Sequence, residues 1–148
     1  MITVHQSRRR AGLVMAFMLV LTSCFLVFAG PAQAESCYNR GGYSFNSTSS
    51  RLTSQINVWR GSGCSGNQIG RGTTALVSDG RVQMTVWDLA CDSVGMWGYV
   101  HGYSTHPGGC GETTNVRFNL SSVGTPHNWW VNVGGSSGVN SNAVNLPS

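Results

Sequence analysis

Three tryptophans lie on the polar side of alternating sequences, where burial in a hydrophobic core does not explain them. Trp59, Trp87 and Trp130 each have Gln, Thr or Asn two residues away. Successive side chains of a strand point to opposite faces, so these rings share a face with amides and hydroxyls. Such a face can stack on sugar rings and hydrogen-bond their hydroxyls. The pattern predicts an exposed aromatic surface, with a carbohydrate or cell-envelope polymer as its ligand. The alternative is structural, with the rings covering strand ends and long loops.

A second aromatic group occupies residues 96–103. Its aromatic members alternate with smaller residues, as Trp97, Tyr99, His101 and Tyr103 against Met96, Gly98, Val100 and Gly102. At about 25 cal/mol per Å² of apolar surface, burial of the aromatic side would be the more favourable in free energy. His101 favours exposure instead, because a buried imidazole needs hydrogen-bond partners. Both orientations stay open, and the four aromatic residues join the predicted binding residues.

Catalytic chemistry has little support in the sequence. The acidic residues are Glu35, Asp79, Asp88, Asp92 and Glu112, and the histidines beyond residue 34 are His101, His106 and His127. His101 with Asp88 or Glu112 would make a general acid–base pair of the kind found in small secreted hydrolases. The G-x-S-x-G, H-E-x-x-H and phosphate-loop motifs do not occur in a strand-to-helix context. We assign no catalytic residue, and hydrolysis remains an alternative to binding.

Metal binding and protease inhibition are two further classes. His101 and His106 could bind a metal together, but two scattered histidines that bind no metal are the better interpretation. We therefore expect no metal and no cofactor. Residues 104–111 or 61–70 would be the loop presented to a secreted protease, since a pre-organised loop lowers the entropy cost of binding.

The elements that must position these residues are short strands. Alternation predicts strands at 51–60, 73–78, 81–87, 96–103, 115–120 and 127–133, with a short edge strand within 41–50 and another at 143–146. Asp79-Gly80 is a hairpin signal, whereas the many glycines of 61–72 and 104–113 predict loops. Six to eight strands with no helical periodicity predict an all-β sandwich, with a small Greek-key barrel as the second choice.

Four cysteines follow residue 34, at Cys37, Cys64, Cys91 and Cys110. An even number in a small exported domain predicts two disulfides rather than a zinc site, because no pair has C-x-x-C spacing. Four cysteines allow three pairings. We favour Cys37 with Cys64 and Cys91 with Cys110, since each bridge would then fasten a glycine-rich loop to a strand-rich segment.

The first 34 residues have the order of a secretory signal peptide. Arg8, Arg9 and Arg10 precede an apolar run, and Ala32 and Ala34 supply small residues for cleavage. A lipoprotein box ending at Cys24, a retained membrane helix and twin-arginine export are the alternatives. Cleavage after Ala34 would leave residues 35–148 as a single domain, secreted to the extracellular space with no stable membrane anchor.

The charge of that domain argues against nucleic acid as a partner. The whole chain carries a formal charge of +4, with nine arginines, no lysine and five acidic residues. Three of those arginines belong to the leader, so the remaining domain is close to neutral. A near-neutral domain lacks the basic surface that binding to nucleic acid requires.

A family resemblance accompanies this pattern. The sequence VWDLACD at 86–92, the strand after it and the Gly109-Cys110 pair resemble small secreted actinobacterial β proteins of mostly unassigned function. The resemblance covers residues 81–133. It implies a disulfide-linked β fold and no activity.

Overall fold

The computed structural model describes residues 33–34 and 36–148, whose regular secondary structure is almost entirely antiparallel β-strand. The strands, in chain order, are β1 Gln33–Ala34, β2 Tyr38–Arg40, β3 Tyr43–Ser49, β4 Thr53–Arg60, β5 Gln68–Leu76, β6 Val82–Asp88, β7 Met96–Val100, β8 Tyr103–Thr105, β9 Thr113–Phe118, β10 Asn128–Val133, β11 Val139–Asn140 and β12 Val144–Asn145. Two single-turn 3-10 helices, Leu120–Ser122 and Gly135–Ser137, complete the regular structure.

The strands form two sheets that pack face to face. The large sheet has the order β1-β3-β4-β5-β6-β9, and β2 also pairs with β3. The small sheet has the order β11-β10-β7-β8, and β12 also pairs with β10. The buried apolar side chains of both sheets make one core between them. The predicted all-β sandwich is therefore confirmed.

The core follows from the alternation of the strand sequences. In β6 the inner residues Val82, Met84 and Val86 are fully buried, while Gln83 and Trp87 are only partly buried on the outer face. The same alternation buries Ile56 and Val58 in β4, and Trp129, Val131 and Val133 in β10. Hydrophobic side chains at every second position drive each sheet to cover the other.

The segment 61–72 is not all loop, as its glycines had suggested. β5 begins at Gln68, and Gly70 and Gly72 lie on its inner face. A Cβ at Gly70 would come within 2.6 Å of Met96 Cε, and one at Gly72 within 2.7 Å of Trp129 Cζ3. The small sheet approaches β5 too closely for any side chain, so these glycines belong to a strand rather than a turn.

β3 is also longer than the predicted edge strand. It runs for seven residues and is bordered by β4 on one side and by β1 and β2 on the other. Phe45 and Ser47 are buried on its inner face, opposite Val58 and Ile56 of β4. Serines and threonines obscured this strand in the sequence, although a hydroxyl side chain fits a pleated sheet well.

Both predicted disulfides are present, with Cα separations of 5.7 Å for Cys37–Cys64 and 4.7 Å for Cys91–Cys110. The first lies beside β2, and Cys64 also donates its backbone N–H to Ser44 Oγ. The second joins the loop after β6 to the loop before β9. Two disulfides indicate that the domain folds in an oxidising environment.

The predicted leader lies outside the described residues except for Gln33 and Ala34. These two residues form β1 against Ser49 and Thr48 of β3. Cleavage after Ala34 would remove that short strand and leave this part of β3 unpaired on one side. Within the part of the chain that the structure describes, no helix has the length and apolar character needed to cross a membrane.

Candidate functional site

The predicted binding residues divide between the two outer faces of the sandwich. Trp59 and Trp87 lie on the outer face of the large sheet, on β4 and β6. Trp130, Trp97 and Tyr99 lie on the outer face of the small sheet, on β10 and β7. The three tryptophans first singled out therefore do not form one surface. Trp129 is fully buried, so its neighbour Trp130 must point outward.

The small sheet instead carries a continuous line of rings, which we call the aromatic row: Trp130, Tyr99, Trp97 and His106. The centroids of Trp130 and Tyr99 are 5.9 Å apart, those of Tyr99 and Trp97 are 6.2 Å apart, and those of Trp97 and His106 are 3.9 Å apart. The interplanar angles are 15°, 15° and 28° in the same order. All four rings retain exposure to solvent. His106 was not among the predicted binding residues, since it follows the strand in a glycine-rich loop.

The register of the strands explains the row. Tyr99 of β7 lies directly opposite Trp130 of β10, and Trp97 is two residues earlier on the same face. Rings at directly opposite positions of an antiparallel pair contact each other, and rings two residues apart along a strand are neighbours on one face. His106 joins because it follows β8, which pairs with the other side of β7.

The face of β7 that is buried is the one with less apolar area. The larger apolar area of the aromatic face had favoured burial of that face instead. Met96, Gly98 and Val100 point into the core. A Cβ on Gly98 would lie 2.5 Å from Val86 Cγ2 and 3.0 Å from Met84 Sδ. The two sheets are so close at this point that large rings do not fit between them. Close packing therefore decides the orientation and leaves Trp97 and Tyr99 outside.

The predicted strand at 96–103 is interrupted by a tight turn. Val100 pairs with Tyr103, and His101 and Gly102 form the two-residue turn between β7 and β8, with Gly102 at a φ of 84°. Tyr103 consequently returns to the core side, where its ring stacks on Phe118 at 5.1 Å. Tyr103 is not part of the aromatic row. His101 is exposed in the turn beside Gly124.

A shallow groove of about 360 Å³ adjoins one end of the row. It is lined by Tyr99, Trp130, His101, Ser104 and three residues of the β7–β8 hairpin. Ser104 lies directly opposite Tyr99 and is exposed. The groove therefore combines two ring surfaces with a hydroxyl and an imidazole that can hydrogen-bond a ligand.

A cleft of about 380 Å³ lies at the other end, beside His106. The Cys91–Cys110 disulfide and the carboxyl groups of Asp88 and Asp92 also line it. Burial raises the pKa of the Asp88 carboxyl, and the negative charge of Asp92 adds to that rise, whereas the Ala90 N–H and His106 oppose it. Asp88 is 5 % exposed and accepts a hydrogen bond from the Ala90 N–H at 3.2 Å.

Asp92 also has a structural role in that cleft. Its Oδ1 accepts the Val94 N–H at 2.9 Å, and its Oδ2 pairs with the Arg60 guanidinium. Both aspartates thus stabilise the turns between β6 and β7. These turns and the disulfide form much of the wall of the cleft.

The predicted acid–base pair does not assemble. His101 lines the groove, whereas Asp88 lines the cleft, and the Glu112 carboxylate lies beside Gly108 and Gly109 of the cleft wall rather than in the groove. His106, rather than His101, lines the same cleft as Asp88. Among the described residues, no three His, Cys, Asp or Glu side chains are grouped as metal ligands.

The two loops considered for protease inhibition are fastened to the domain. Residues 61–67 lie over β2 and β3, where the Gly63 N–H donates to Asn39 Oδ1 at 3.2 Å. Thr105 belongs to β8, and residues 106–110 form the wall of the cleft. Each loop therefore already has a structural role.

Asn132 is the polar residue most closely associated with the row. It lies directly opposite Trp97, is 5 % exposed, and donates its amide N–H to Asn140 Oδ1 at 2.8 Å. Its Oδ1 is buried and has no hydrogen-bond partner among the described residues. Alternation in β10 places Asn132 and Trp130 on the same face, which the sequence did predict.

Comparison of the chain with protein-family models, with curated proteins and with solved structures gave no match.

Proposed function

We propose that this is a secreted binding protein that attaches to a polysaccharide or related cell-envelope polymer through the aromatic row. The observation that carries the proposal is the unbroken contact of four near-parallel rings, Trp130, Tyr99, Trp97 and His106, on one solvent-facing sheet. Core packing does not require these rings, since the opposite faces of β7 and β10 supply the core residues.

Two features of the row support a chain of sugars as its ligand. Aromatic faces pack against the C–H faces of sugar rings, and several rings in line bind several sugars at once. Ser104, His101 and Asn128 border the row with groups that hydrogen-bond hydroxyls. A line of rings favours an extended polymer over a single small molecule.

Export is part of the proposal. The basic, apolar and small-residue segments of the first 34 residues predict it, and the two disulfides are typical of proteins outside the reducing cytosol. An exported domain with an aromatic surface would meet the polymers of the cell envelope or of the surroundings.

The test is a retention assay with the protein purified from culture medium after export under its own leader. It is incubated with insoluble chitin, cellulose and peptidoglycan, and the bound fraction is measured. We expect one of these polymers to retain the protein and Trp97→Ala to reduce retention. Retention by none of them would contradict the proposal.

A second candidate is hydrolysis at the cleft. The observation in its favour is the buried Asp88 carboxyl, whose pKa is raised, in the same cleft as His106. A carboxyl that holds its proton can serve as a general acid. Release of soluble sugars from a retained polymer, lost in Asp88→Asn, would establish this activity in place of simple binding.

A further inference from the structure

The outer face of the large sheet carries an arginine, Arg71, that makes no hydrogen bond or ion pair with the described residues. Arg71 lies in the middle of β5, directly opposite Asn57 of β4 and Trp87 of β6. Its guanidinium carbon is 4.3 Å from the centroid of the Trp87 ring. Stacking on an aromatic ring holds a planar guanidinium in one orientation. The side chain is therefore fixed on the sheet rather than extended into solvent.

Three other arginines of the large sheet and its turns have partners in the protein. Arg60 pairs with Asp92, Arg81 pairs with Asp79, and Arg117 donates its Nε–H to Gln83 Oε1 at 2.6 Å. Arg71 makes no hydrogen bond or ion pair with any described residue, and its Nε is buried. A buried donor without an acceptor is unfavourable, and a charged one more so. The two terminal nitrogens of Arg71 are neither buried nor hydrogen-bonded to a described residue, so they can donate to an acceptor from outside the protein.

The charge of this face defines that acceptor. Its outward positions on β4, β5, β6 and β9 hold Arg71 and Arg117 among threonines, asparagines and glutamines. The four described acids lie elsewhere, since Asp79, Asp92 and Glu112 are outside the strands and Asp88 is buried at the end of β6. A positive, amide-rich face without carboxylates complements a negative ligand.

We propose that Arg71 is the centre of a second binding site, for the anionic groups of an acidic polysaccharide. A carboxylate accepts two parallel N–H bonds from one guanidinium, and the two terminal nitrogens of Arg71, which unlike Nε are not buried, would donate them. The Trp87 ring beneath keeps the guanidinium in place. Asn57 lies beside it, and because its Oδ1 already accepts from Gln55 and Gln68, its Nδ2 is the group that would donate to a sugar hydroxyl. This site is on the opposite sheet from the aromatic row and does not depend on the function proposed for that row.

Affinity electrophoresis of the exported protein tests the proposal. The gel contains polygalacturonate as the carboxylate probe, polyphosphate as the phosphate probe, or dextran as the neutral control. We expect polygalacturonate to retard the protein and dextran not to. Retardation by polyphosphate alone would show that the negative group is a phosphate and would overturn the assignment of an acidic polysaccharide.

Two variants make the test specific to Arg71. Arg71→Gln should raise the dissociation constant for polygalacturonate about ten- to a hundredfold, as expected for the loss of hydrogen bonds to a charged group. Arg117→Gln removes the same charge from the same face and should change it much less. Arg71→Lys, which keeps the charge, covers the case in which Arg71→Gln does not fold, and should also weaken binding because it lacks the fork of donors. Equal losses in the Arg71 and Arg117 variants, or no retardation of the native protein by either acidic probe, would overturn the proposal.

Discussion

The indole Nε1–H of Trp129 donates a hydrogen bond of 2.7 Å to the Oγ of Ser54, and this bond crosses the interior from the small sheet to the large one. Ser54 Oγ is in turn 2.6 Å from Thr74 Oγ1. The largest buried side chain of the core therefore has its one polar atom satisfied. Because Trp129 is held inside, the next residue, Trp130, is held outside, and the core contact thus fixes one end of the aromatic row.

Replacing Ser54 tests this relationship. Ser54→Ala leaves the Trp129 N–H buried without an acceptor, so we expect the free energy of unfolding to fall by about 1–3 kcal/mol. Urea denaturation followed by tryptophan fluorescence measures the change. Ser104→Ala, at an exposed position, is the matched control and should stay within about 0.5 kcal/mol of the native protein. A Ser54 variant as stable as the Ser104 variant would contradict the assigned role of this hydrogen bond.

Gly72 tests the close approach of the two sheets. A Cβ at this position would lie 2.7 Å from both Trp129 Cζ3 and Val131 Cγ1. Gly72→Ala should destabilise the domain by about 1–3 kcal/mol, the usual cost of overpacking. Gly95→Ala serves as the control, because its nearest neighbours would be at 3.6 Å and 3.8 Å, an ordinary contact distance. Equal stability of the two variants would mean that the sheets are farther apart than described.

Asp88 gives the stability a defined dependence on pH. Burial raises the pKa of this carboxyl in the folded state, so the folded protein holds the proton more tightly than the unfolded chain. The free energy of unfolding then decreases as the pH rises from the unfolded pKa, about 3.9, through the folded one. Asp88→Asn removes this dependence, since an amide oxygen still accepts the Ala90 N–H without a charge.

The pH prediction is checked by thermal melting between about pH 3 and pH 7. The melting temperature of Asp88→Asn minus that of the native protein should increase as the pH rises. Asp79 is exposed in the β5–β6 turn, and Arg81 lowers the pKa of its carboxyl by hydrogen bonding. Asp79→Asn should therefore change in the opposite direction. A difference for Asp88→Asn that is constant or decreases with pH would contradict the raised pKa.

The sequence predicted the parts of the fold that depend on alternation alone. The inner and outer residues of β6 and β10, the outward direction of Trp130, the Asp79-Gly80 hairpin and both disulfide pairings are all confirmed. The strand faces and the hairpin follow from a local pattern, either a period of two or a turn residue. The pairings follow from the glycine-rich loops that the bridges fasten.

Contacts between the sheets account for what the sequence did not predict. In the sequence, a glycine such as Gly70 or Gly98 indicates a loop or a weak strand. The structure shows that side chains of the opposite sheet leave no room for a Cβ at either position. The same applies to the aromatic row, because Tyr99 and Trp130 are 31 positions apart in a sequence that does not show which strands pair. His106 joins the row through the β7–β8 turn, which ends the predicted strand earlier than alternation suggests.

The most direct test of the proposed function compares two tryptophans on opposite faces of the same sandwich. Trp130→Ala removes a ring from the aromatic row, and Trp59→Ala removes an equally large, partly exposed ring from the other sheet. Both variants are first checked by thermal melting to confirm that they fold, and their dissociation constants are then measured for whichever of chitin, cellulose or peptidoglycan retains the native protein. We predict that Trp130→Ala weakens binding at least about tenfold, as expected for an aromatic anchor, while Trp59→Ala leaves it within about twofold. Equal effects of the two substitutions, or a larger effect of Trp59→Ala, would contradict the assignment of binding to the aromatic row.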